Sequence, residues 1–148
     1  MYFGVDYHPE QWVYPYAGTV ENPEAQWEVD AELMVAAGFN VVRIGEFSWG
    51  ICEREDGKFD FAWLRRVMDV MGKHGIQVVT GTPTAAPPLW LGLSKFSRST
   101  NAASSNRHTP GVCLNSDAYW NHAKRIVQEI GQSPRRPSPA YRVADPAT

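Results

Sequence analysis

Acidic and aromatic side chains are concentrated directly after the apolar segments that we expect to form strands. The first such segment is followed by residues 6–12, the second by Glu46 and Trp49, and the third by a proline-rich loop that reaches Trp90. Aromatic rings can lie against the C–H faces of a sugar while carboxylates and amides hydrogen-bond its hydroxyl groups. A phosphate site would instead need Lys, Arg and glycine amides. The pattern therefore predicts a carbohydrate site.

Two of these carboxylates occupy positions that glycoside hydrolysis could use. Hydrolysis with retention needs two carboxyl groups about 5 Å apart on either side of the scissile bond. Glu10 and Glu46 follow the first two predicted strands, so position alone nominates them as that pair. Glu46 has an equally good structural interpretation, an ion pair with Arg43. The tryptophans after the strands fit packing as well as they fit sugar contacts.

Three repeats of strand, loop and helix position these residues. The strands are predicted at the apolar segments 2–5, 40–44 and 76–80. Strands that alternate with helices imply a parallel sheet with right-handed crossovers. A doubly wound sheet and part of a (β/α)8 barrel both fit, but no glycine-rich phosphate loop follows any strand, which favours the barrel. A full barrel needs roughly 250 residues, so this chain of 148 residues supplies about three of its βα units.

The helices are predicted from caps and from apolar residues at helical spacing. The first has Asn22 as N-cap, Pro23 in its first position, and Gly38 at its end; its predicted buried residues are Ala25, Val29, Leu33 and Ala36. The second has Asp60 as N-cap; its predicted buried residues are Leu64, Val67, Met68 and Met71. The third covers 117–130, and the residues predicted on its buried face are Tyr119, Ala123, Ile126, Val127 and Ile130.

Two connecting segments differ in character. Glu53, Glu55 and Asp56 are predicted to lie in a solvated loop that turns at Gly57. Residues 82–91 contain three prolines within six residues, which cannot continue a strand. The chain is therefore expected to leave its sheet in a stiff turn that ends on a tryptophan.

Composition excludes several classes of protein. A net charge of −2 and a pI near 6.1 argue against a nucleic-acid partner. No long apolar run or leader suggests a membrane partner. Two cysteines make no disulfide framework, so a cytoplasmic location is expected. We predict no cofactor and no metal, and residues 133–148, rich in proline, are predicted to be a disordered tail beyond a domain at residues 1–132.

Four ordered motifs resemble the N-terminal part of glycoside hydrolase family 42 β-galactosidases. They are Gly-Val-Asp-Tyr-His-Pro-Glu-Gln-Trp at 4–12, Val-Arg-Ile-Gly-Glu-Phe-Ser-Trp at 42–49, Gly-Lys-Phe-Asp-Phe-Ala-Trp-Leu at 57–64, and Thr-Pro-Thr-Ala-Ala-Pro-Pro-Leu-Trp-Leu at 82–91. The resemblance covers residues 1 to about 96 and resumes from 106 to about 132. It implies a (β/α)8 TIM barrel, a retaining mechanism with two glutamates, β-galactoside or oligosaccharide substrates, and frequent homo-oligomers.

The same resemblance removes Glu10 and Glu46 from the catalytic pair. The family's acid/base glutamate follows an asparagine at the end of strand four, and its nucleophile ends strand seven. Neither has a counterpart in this sequence, so no catalytic residue is assigned. Arg107 matches a substrate-binding arginine of the family, and Glu46 and Trp49 become candidate substrate-binding residues. Cys113 resembles a zinc-cluster cysteine of some members, but its partner cysteines are absent.

The resemblance implies a truncated β-galactosidase that is inactive by itself. An alternative of a different class is a non-catalytic carbohydrate-binding or interaction fragment, which the aromatic residues at the strand ends would suit. A third possibility is a barrel glycosidase of another specificity, similar to β-mannosidases or agarases.

Overall fold

A computed structural model of the protein describes residues 1–92 and 116–133. The chain divides into two compact units. Among the described residues, the first unit contains 1–45 and 62–81, and the second contains 46–61, 82–92 and 116–133. The predicted tail at 133–148 lies outside the described residues apart from Ser133. Its limits therefore stay a prediction.

The described residues form five helices and five strands. In chain order they are β1 (Gly4–Asp6), α1 (Gln26–Ala36), β2 (Val41–Ile44), α2 (Trp49–Cys52), β3 (Glu53–Glu55), β4 (Lys58–Phe59), α3 (Ala62–Lys73), β5 (Gln77–Thr80), α4 (Leu89–Gly92) and α5 (Asp117–Gln132). Short 3₁₀ turns occupy Pro9–Gln11 and Pro83–Ala85. No helix in the described ranges is long and apolar enough to cross a membrane.

A parallel sheet forms the centre of the first unit. Its strand order is β1-β2-β5, and all pairs are parallel, as predicted. Val5, Val42 and Val78 lie side by side across the three strands. Val42 and Val78 are buried, whereas Val5 on the edge strand β1 is 43% exposed. The apolar segments of the sequence were sufficient to predict the three strands to within two residues at either end.

Helix α1 begins later than predicted and buries a different face. Residues 23–25 form a turn instead of the first helical residues, and the amide of Ala25 donates to the carbonyl of Asn22 at 3.2 Å. The helix ends at Ala36 before Gly38, whose φ of +83° favours glycine, as predicted. The buried residues are Trp27, Ala31 and Met34. The predicted stripe containing Val29 and Leu33 is exposed instead.

Helix α3 buries the face that its spacing predicts. Trp63, Leu64, Val67 and Met71 are its buried residues. Two ion pairs and one imidazole–carboxylate hydrogen bond link residues of α3 and the residue after it to α1 and the turn before α1. Arg66 holds Glu24 through two guanidinium nitrogens at 2.6 and 2.8 Å, and Lys73 and His74 hold Glu28 at 2.9 and 2.7 Å. Charged groups around the rim of this helix pair thus complement its apolar interior.

The second unit is built around a small hairpin that the sequence did not predict. Strands β3 and β4 pair antiparallel and turn at Asp56 and Gly57. Helix α2 precedes the hairpin, and its Cys52 is a buried thiol 3.7 Å from the hydroxyl oxygen of Ser48. Helix α5 is capped by Ser116, whose side chain accepts from the amide of Tyr119. Its buried residues are Tyr119, Ala123 and Ile126, which agrees with most of the predicted face.

Candidate functional site

In the first unit, the segment after β1 holds a shielded carboxylate. Glu10 lies in the 3₁₀ turn that follows β1, and only 8% of its side chain is exposed. Its Oε1 lies 3.6 Å from Nδ1 of His8. The indole N–H of Trp27 donates to the carbonyl of Pro9 at 2.9 Å and fixes this turn on α1. Neither carboxylate oxygen of Glu10 has a hydrogen-bond partner among the described residues, so Glu10 is a shielded carboxylate beside an imidazole. Its role as a wall of the site or as a structural residue, which the resemblance implies, stays a prediction.

A cavity of about 660 Å³ lies beside this segment in the first unit. The lining residues are Tyr7, Trp12, Tyr16, Ala17, Gln26, Asp30, Leu33, Met34 and Phe39. Asp30 accepts hydrogen bonds from the Tyr7 hydroxyl at 2.7 Å and from the Gln26 amide at 2.8 Å. Burial, followed by the hydrogen bond to Asp30, raises the pKa of Tyr7 far above its ordinary value. The phenol therefore remains a neutral donor.

In the second unit, the predicted binding residues Glu46 and Trp49 differ in exposure. Glu46 is half-buried in the turn before α2. Trp49 is completely buried, and its indole N–H donates to Oε2 of Glu53 at 2.8 Å. Its ring lies 6.2 Å from that of Tyr119. These contacts support the packing interpretation of Trp49, and its role in substrate binding stays a prediction, as does that of Glu46.

The third predicted binding residue, Arg107, lies outside the described residues. So does Cys113, the cysteine that resembles a zinc ligand. Within the ranges that the structure describes, no three His, Cys, Asp or Glu side chains are grouped closely enough to hold a metal ion.

Glu53 is the side chain that the sequence interpretation placed wrongly. It was predicted to be solvated, but it is fully buried. Its Oε1 accepts from the amide of Gly57 at 2.8 Å and pairs with the guanidinium of Arg125 on α5. Arg125 also pairs with Asp56 and lies over the ring of Phe59. A buried carboxylate needs such donors to offset its desolvation, and the decisive one comes from 72 residues further along the chain.

The proline segment is anchored to the same cluster of the second unit. The indole N–H of Trp90 donates to the carbonyl of Glu53 at 2.9 Å, and the hydroxyl of Tyr119 donates to the carbonyl of Thr84 at 3.0 Å. The ring of His122 lies 5.4 Å from that of Trp90. His122 therefore packs against this tryptophan, and only 24% of its side chain is exposed. The stiff turn is thus held at both ends.

The described carboxylates of the candidate site differ in what they can do. Glu53 is fully occupied as a structural acceptor, and Glu10 is shielded beside an imidazole. Glu46 keeps part of its surface exposed. A partly exposed carboxylate can accept hydrogen bonds from the hydroxyl groups of a sugar. This exposure is compatible with substrate binding by Glu46, which stays a prediction.

Sequence comparison identifies a family. The sequence model of glycoside hydrolase family 42, described as "Beta-galactosidase", matches residues 6–136. The β-galactosidase Bga of Halorubrum lacusprofundi is 40% identical over 137 residues, which are 88% of this chain and 18% of that protein. The β-galactosidase BbgII of Bifidobacterium bifidum is 45% identical over 91 residues, 62% of this chain and 12% of that protein.

Comparison with solved structures also finds β-galactosidases. The β-galactosidase from Halorubrum lacusprofundi matches with a TM-score of 0.71 over 88% of this chain and 19% of that protein, at 40% identity. The β-galactosidase from Bacillus circulans sp. alkalophilus matches with a TM-score of 0.71 over 87% of this chain and 18% of that protein, at 28% identity. The prediction that the chain forms part of a (β/α)8 barrel is confirmed. The chain spans about a fifth of the length of these relatives.

Proposed function

We propose, on the premise that the chain belongs to the glycoside hydrolase family 42 β-galactosidases, that it is the N-terminal part of an enzyme that hydrolyses terminal β-D-galactosides with retention. The observation that carries this proposal is the match of the family's sequence model to residues 6–136. The parallel βα units of the first unit support it. A cytoplasmic location belongs to the same proposal.

By itself, the 148-residue chain is expected to be inactive. Retaining hydrolysis needs two carboxyl groups on either side of the scissile bond. The resemblance places these groups at the ends of strands four and seven, for which this sequence offers no glutamate. The role left to the chain is to form one wall of the galactoside site, with Glu46 and Arg107 as the groups that contact substrate.

Fragment complementation tests this activity. The chain would be co-expressed with the Halorubrum lacusprofundi enzyme from which the matching segment has been deleted. We expect hydrolysis of an aryl β-galactoside by the pair and none by either part alone. Turnover by the purified 148-residue chain would contradict its predicted inactivity. If both parts are present in soluble form and the pair does not hydrolyse the aryl β-galactoside, the proposed contribution of this chain to a galactosidase is contradicted.

The substrate contact of Glu46 has its own test in the complemented pair. Glu46→Gln keeps the shape of the side chain and removes its charge, so a weakened hydrogen bond to a sugar hydroxyl would raise KM or lower kcat about tenfold, as expected for the loss of a charged hydrogen bond. Glu55→Gln, an exposed glutamate of the same unit, is the matched control. Equal kinetics for the two variants would remove Glu46 from the substrate-binding residues.

A carbohydrate-binding fragment without catalysis is the second candidate. The exposed rings of Trp12 and Tyr16 beside the cavity favour it, because exposed aromatic rings can pack on sugars. Titration of the isolated chain with galactose, mannose and agaro-oligosaccharide, followed by tryptophan fluorescence, separates the three specificities. Selective saturable binding of galactose without turnover would favour the second candidate, and a preference for another sugar would favour a related specificity.

A further inference from the structure

The proline segment, residues 82–91, follows the carboxyl end of a parallel strand. Strand β5 ends at Thr80, and only Gly81 separates it from the segment. Active sites of (β/α)8 barrels are built from the loops at the carboxyl ends of the strands. On the proposed function, the segment is therefore part of the wall of the galactoside site. It contains no charged side chain, so its position has to be fixed by other kinds of contact.

The hydrogen bonds within the segment are local. The amide of Ala86 donates to the carbonyl of Pro83 at 3.3 Å, and the amide of Leu91 donates to the carbonyl of Pro88 at 3.0 Å. Each bond closes a single turn, because its donor and acceptor are three residues apart. The prolines of the segment have no amide N–H to donate. Local turns shape the segment, but they do not fix where it lies.

Helix α5 fixes the start of the segment through Tyr119. Its hydroxyl donates to the carbonyl of Thr84 at 3.0 Å, inside the 3₁₀ turn Pro83–Ala85. The tyrosine is 5% exposed, and the side chain of Ser116 accepts from its amide at the start of the helix. Burial raises the pKa of Tyr119 above its ordinary value. The hydroxyl therefore keeps its proton and remains a donor from a fixed position.

The end of the segment is fixed through the same cluster of buried residues. Trp90 donates its indole N–H to the carbonyl of Glu53 at 2.9 Å. The side chain of Glu53 accepts from Trp49, whose ring lies 6.2 Å from that of Tyr119. The two anchored residues of the segment, Thr84 and Trp90, are six positions apart. Loss of the Tyr119 hydroxyl therefore releases the start of the segment while its end stays anchored.

We propose that Tyr119 is a positioning residue of the galactoside site, whose hydroxyl holds the proline segment where substrate meets it. The inference rests on the proposed function, which makes the segment a wall of that site. A buried tyrosine acts here through the segment and not by touching the sugar. A wall that is already in its bound position loses less conformational entropy when substrate binds. A released wall has to be ordered by the substrate, which weakens binding.

Tyr119→Phe in the complemented pair tests this role, because it removes the hydroxyl and keeps the ring. KM for the aryl β-galactoside should rise between about twofold and tenfold, as for the loss of one neutral hydrogen bond, with little change in kcat. A residue that matters only for stability would reduce the amount of active pair and leave KM unchanged. Gln128→Gly is the matched control, since it weakens α5 at an exposed position and keeps the hydroxyl. Its KM should equal that of the parent pair.

Hydrogen exchange of the 148-residue chain gives a second measurement that needs no activity. In Tyr119→Phe the amide of Ala86 should exchange severalfold faster than in the parent chain, and the amides of β5 should exchange at the parent rate. Unchanged exchange at Ala86 would overturn the proposal. So would an active pair in which Tyr119→Phe leaves KM unchanged, or in which Gln128→Gly raises KM equally.

An inactive parent pair is a different result. It would overturn the proposed function, and the inference would fall with it. Exchange at Ala86 would then still show whether the Tyr119 hydroxyl fixes the segment. Failure of the positioning role and failure of the proposed function are therefore distinguishable.

Discussion

Trp49 donates its indole N–H to the carboxylate of Glu53 over 2.8 Å, and both side chains are fully buried. The two residues are four positions apart, at the start of α2 and the start of β3. Glu53 thus joins the short helix, the hairpin turn through Gly57 and the long helix α5 through Arg125. A single acidic side chain organises the second unit.

Removing the charge of Glu53 should destabilise the second unit. Glu53→Gln leaves the guanidinium of Arg125 without its buried counterion, at a cost of about 2–3 kcal/mol in the free energy of unfolding. This is less than the roughly 3–5 kcal/mol expected for a fully buried pair, because Arg125 is 34% exposed and can recruit water. Urea unfolding followed by tryptophan fluorescence measures the change. Glu55→Gln, whose pair with Lys58 is exposed, should cost less than about 0.5 kcal/mol; similar losses for both variants would contradict the structural role of Glu53.

Acid should weaken the first unit through Glu28. Its hydrogen bonds to His74 and then to Lys73 lower the pKa of this carboxyl below the ordinary value of 4.5. A lowered pKa in the folded state contributes stability above the ordinary pKa and loses it as the pH falls through the lowered value. In Glu28→Gln the decrease in stability below pH 4.5 should be shallower than in the parent chain. The effect is small because Glu28 is 44% exposed.

The control for this loss of stability in acid is Glu32→Gln, on the exposed side of the same helix. We expect its urea midpoints to follow those of the parent chain from neutral pH into the acid range. Parallel acid curves for the parent and Glu28→Gln would show that the pairs with Lys73 and His74 carry no pH dependence. High salt should shrink the difference between the two curves, since these ion pairs are partly exposed.

Alkali should weaken the first unit through Tyr7. Burial and the hydrogen bond to Asp30 raise the pKa of this phenol above its ordinary value of 10.0. A raised pKa contributes stability that is complete below the ordinary value and is lost as the pH rises beyond it, because the unfolded chain then releases a proton that the folded chain retains. Tyr7→Phe should therefore be less stable at neutral pH and should lose less stability above pH 10.0. Identical alkaline slopes for parent and variant, measured as urea midpoints against pH, would refute this assignment.

A side chain at Gly4 should disrupt the pairing of β1 with β2. A Cβ at this position would lie 1.7 Å from the carbonyl oxygen of Val41, so the backbone has to move. Gly4→Ala should cost at least about 1–3 kcal/mol, as overpacking does. Gly50→Ala is the comparison, because its Cβ would meet the side chain of Pro88 at 3.8 Å, an ordinary contact. Thermal unfolding of both variants measures the difference, and equal tolerance at the two glycines would contradict the register of β1.

The sequence was sufficient for the strands but not for the orientation of α1. Strand positions follow from apolar segments that lie between polar loops, and their parallel order follows from the intervening helices. Two faces of helix α1 carry apolar residues three or four positions apart, as helical spacing requires. One face has Ala25, Val29 and Leu33, and the other has Trp27, Ala31 and Met34. Which face meets the sheet depends on Trp27 reaching the carbonyl of Pro9, a tertiary contact that helical periodicity does not contain.

The buried role of Glu53 was not accessible from the sequence for a related reason. Acidic residues next to a glycine turn are usually solvated, and the local sequence Glu-Arg-Glu-Asp-Gly at 53–57 has that composition. Its burial depends on Arg125, on a helix that packs there only in the folded chain. Of the predicted binding residues, Glu46 and Trp49 lie in this same unit, and the roles of Glu46 and Arg107 stay predictions.

The sulfhydryl of Cys52 can serve as a kinetic probe of how often the second unit opens. It is completely buried at the end of α2, directly before Glu53. In a Cys113→Ser background, a disulfide reagent such as dithionitrobenzoate reaches this one sulfur only after α2 separates from the hairpin. The rate of colour development then measures local opening of the second unit independently of the parallel sheet.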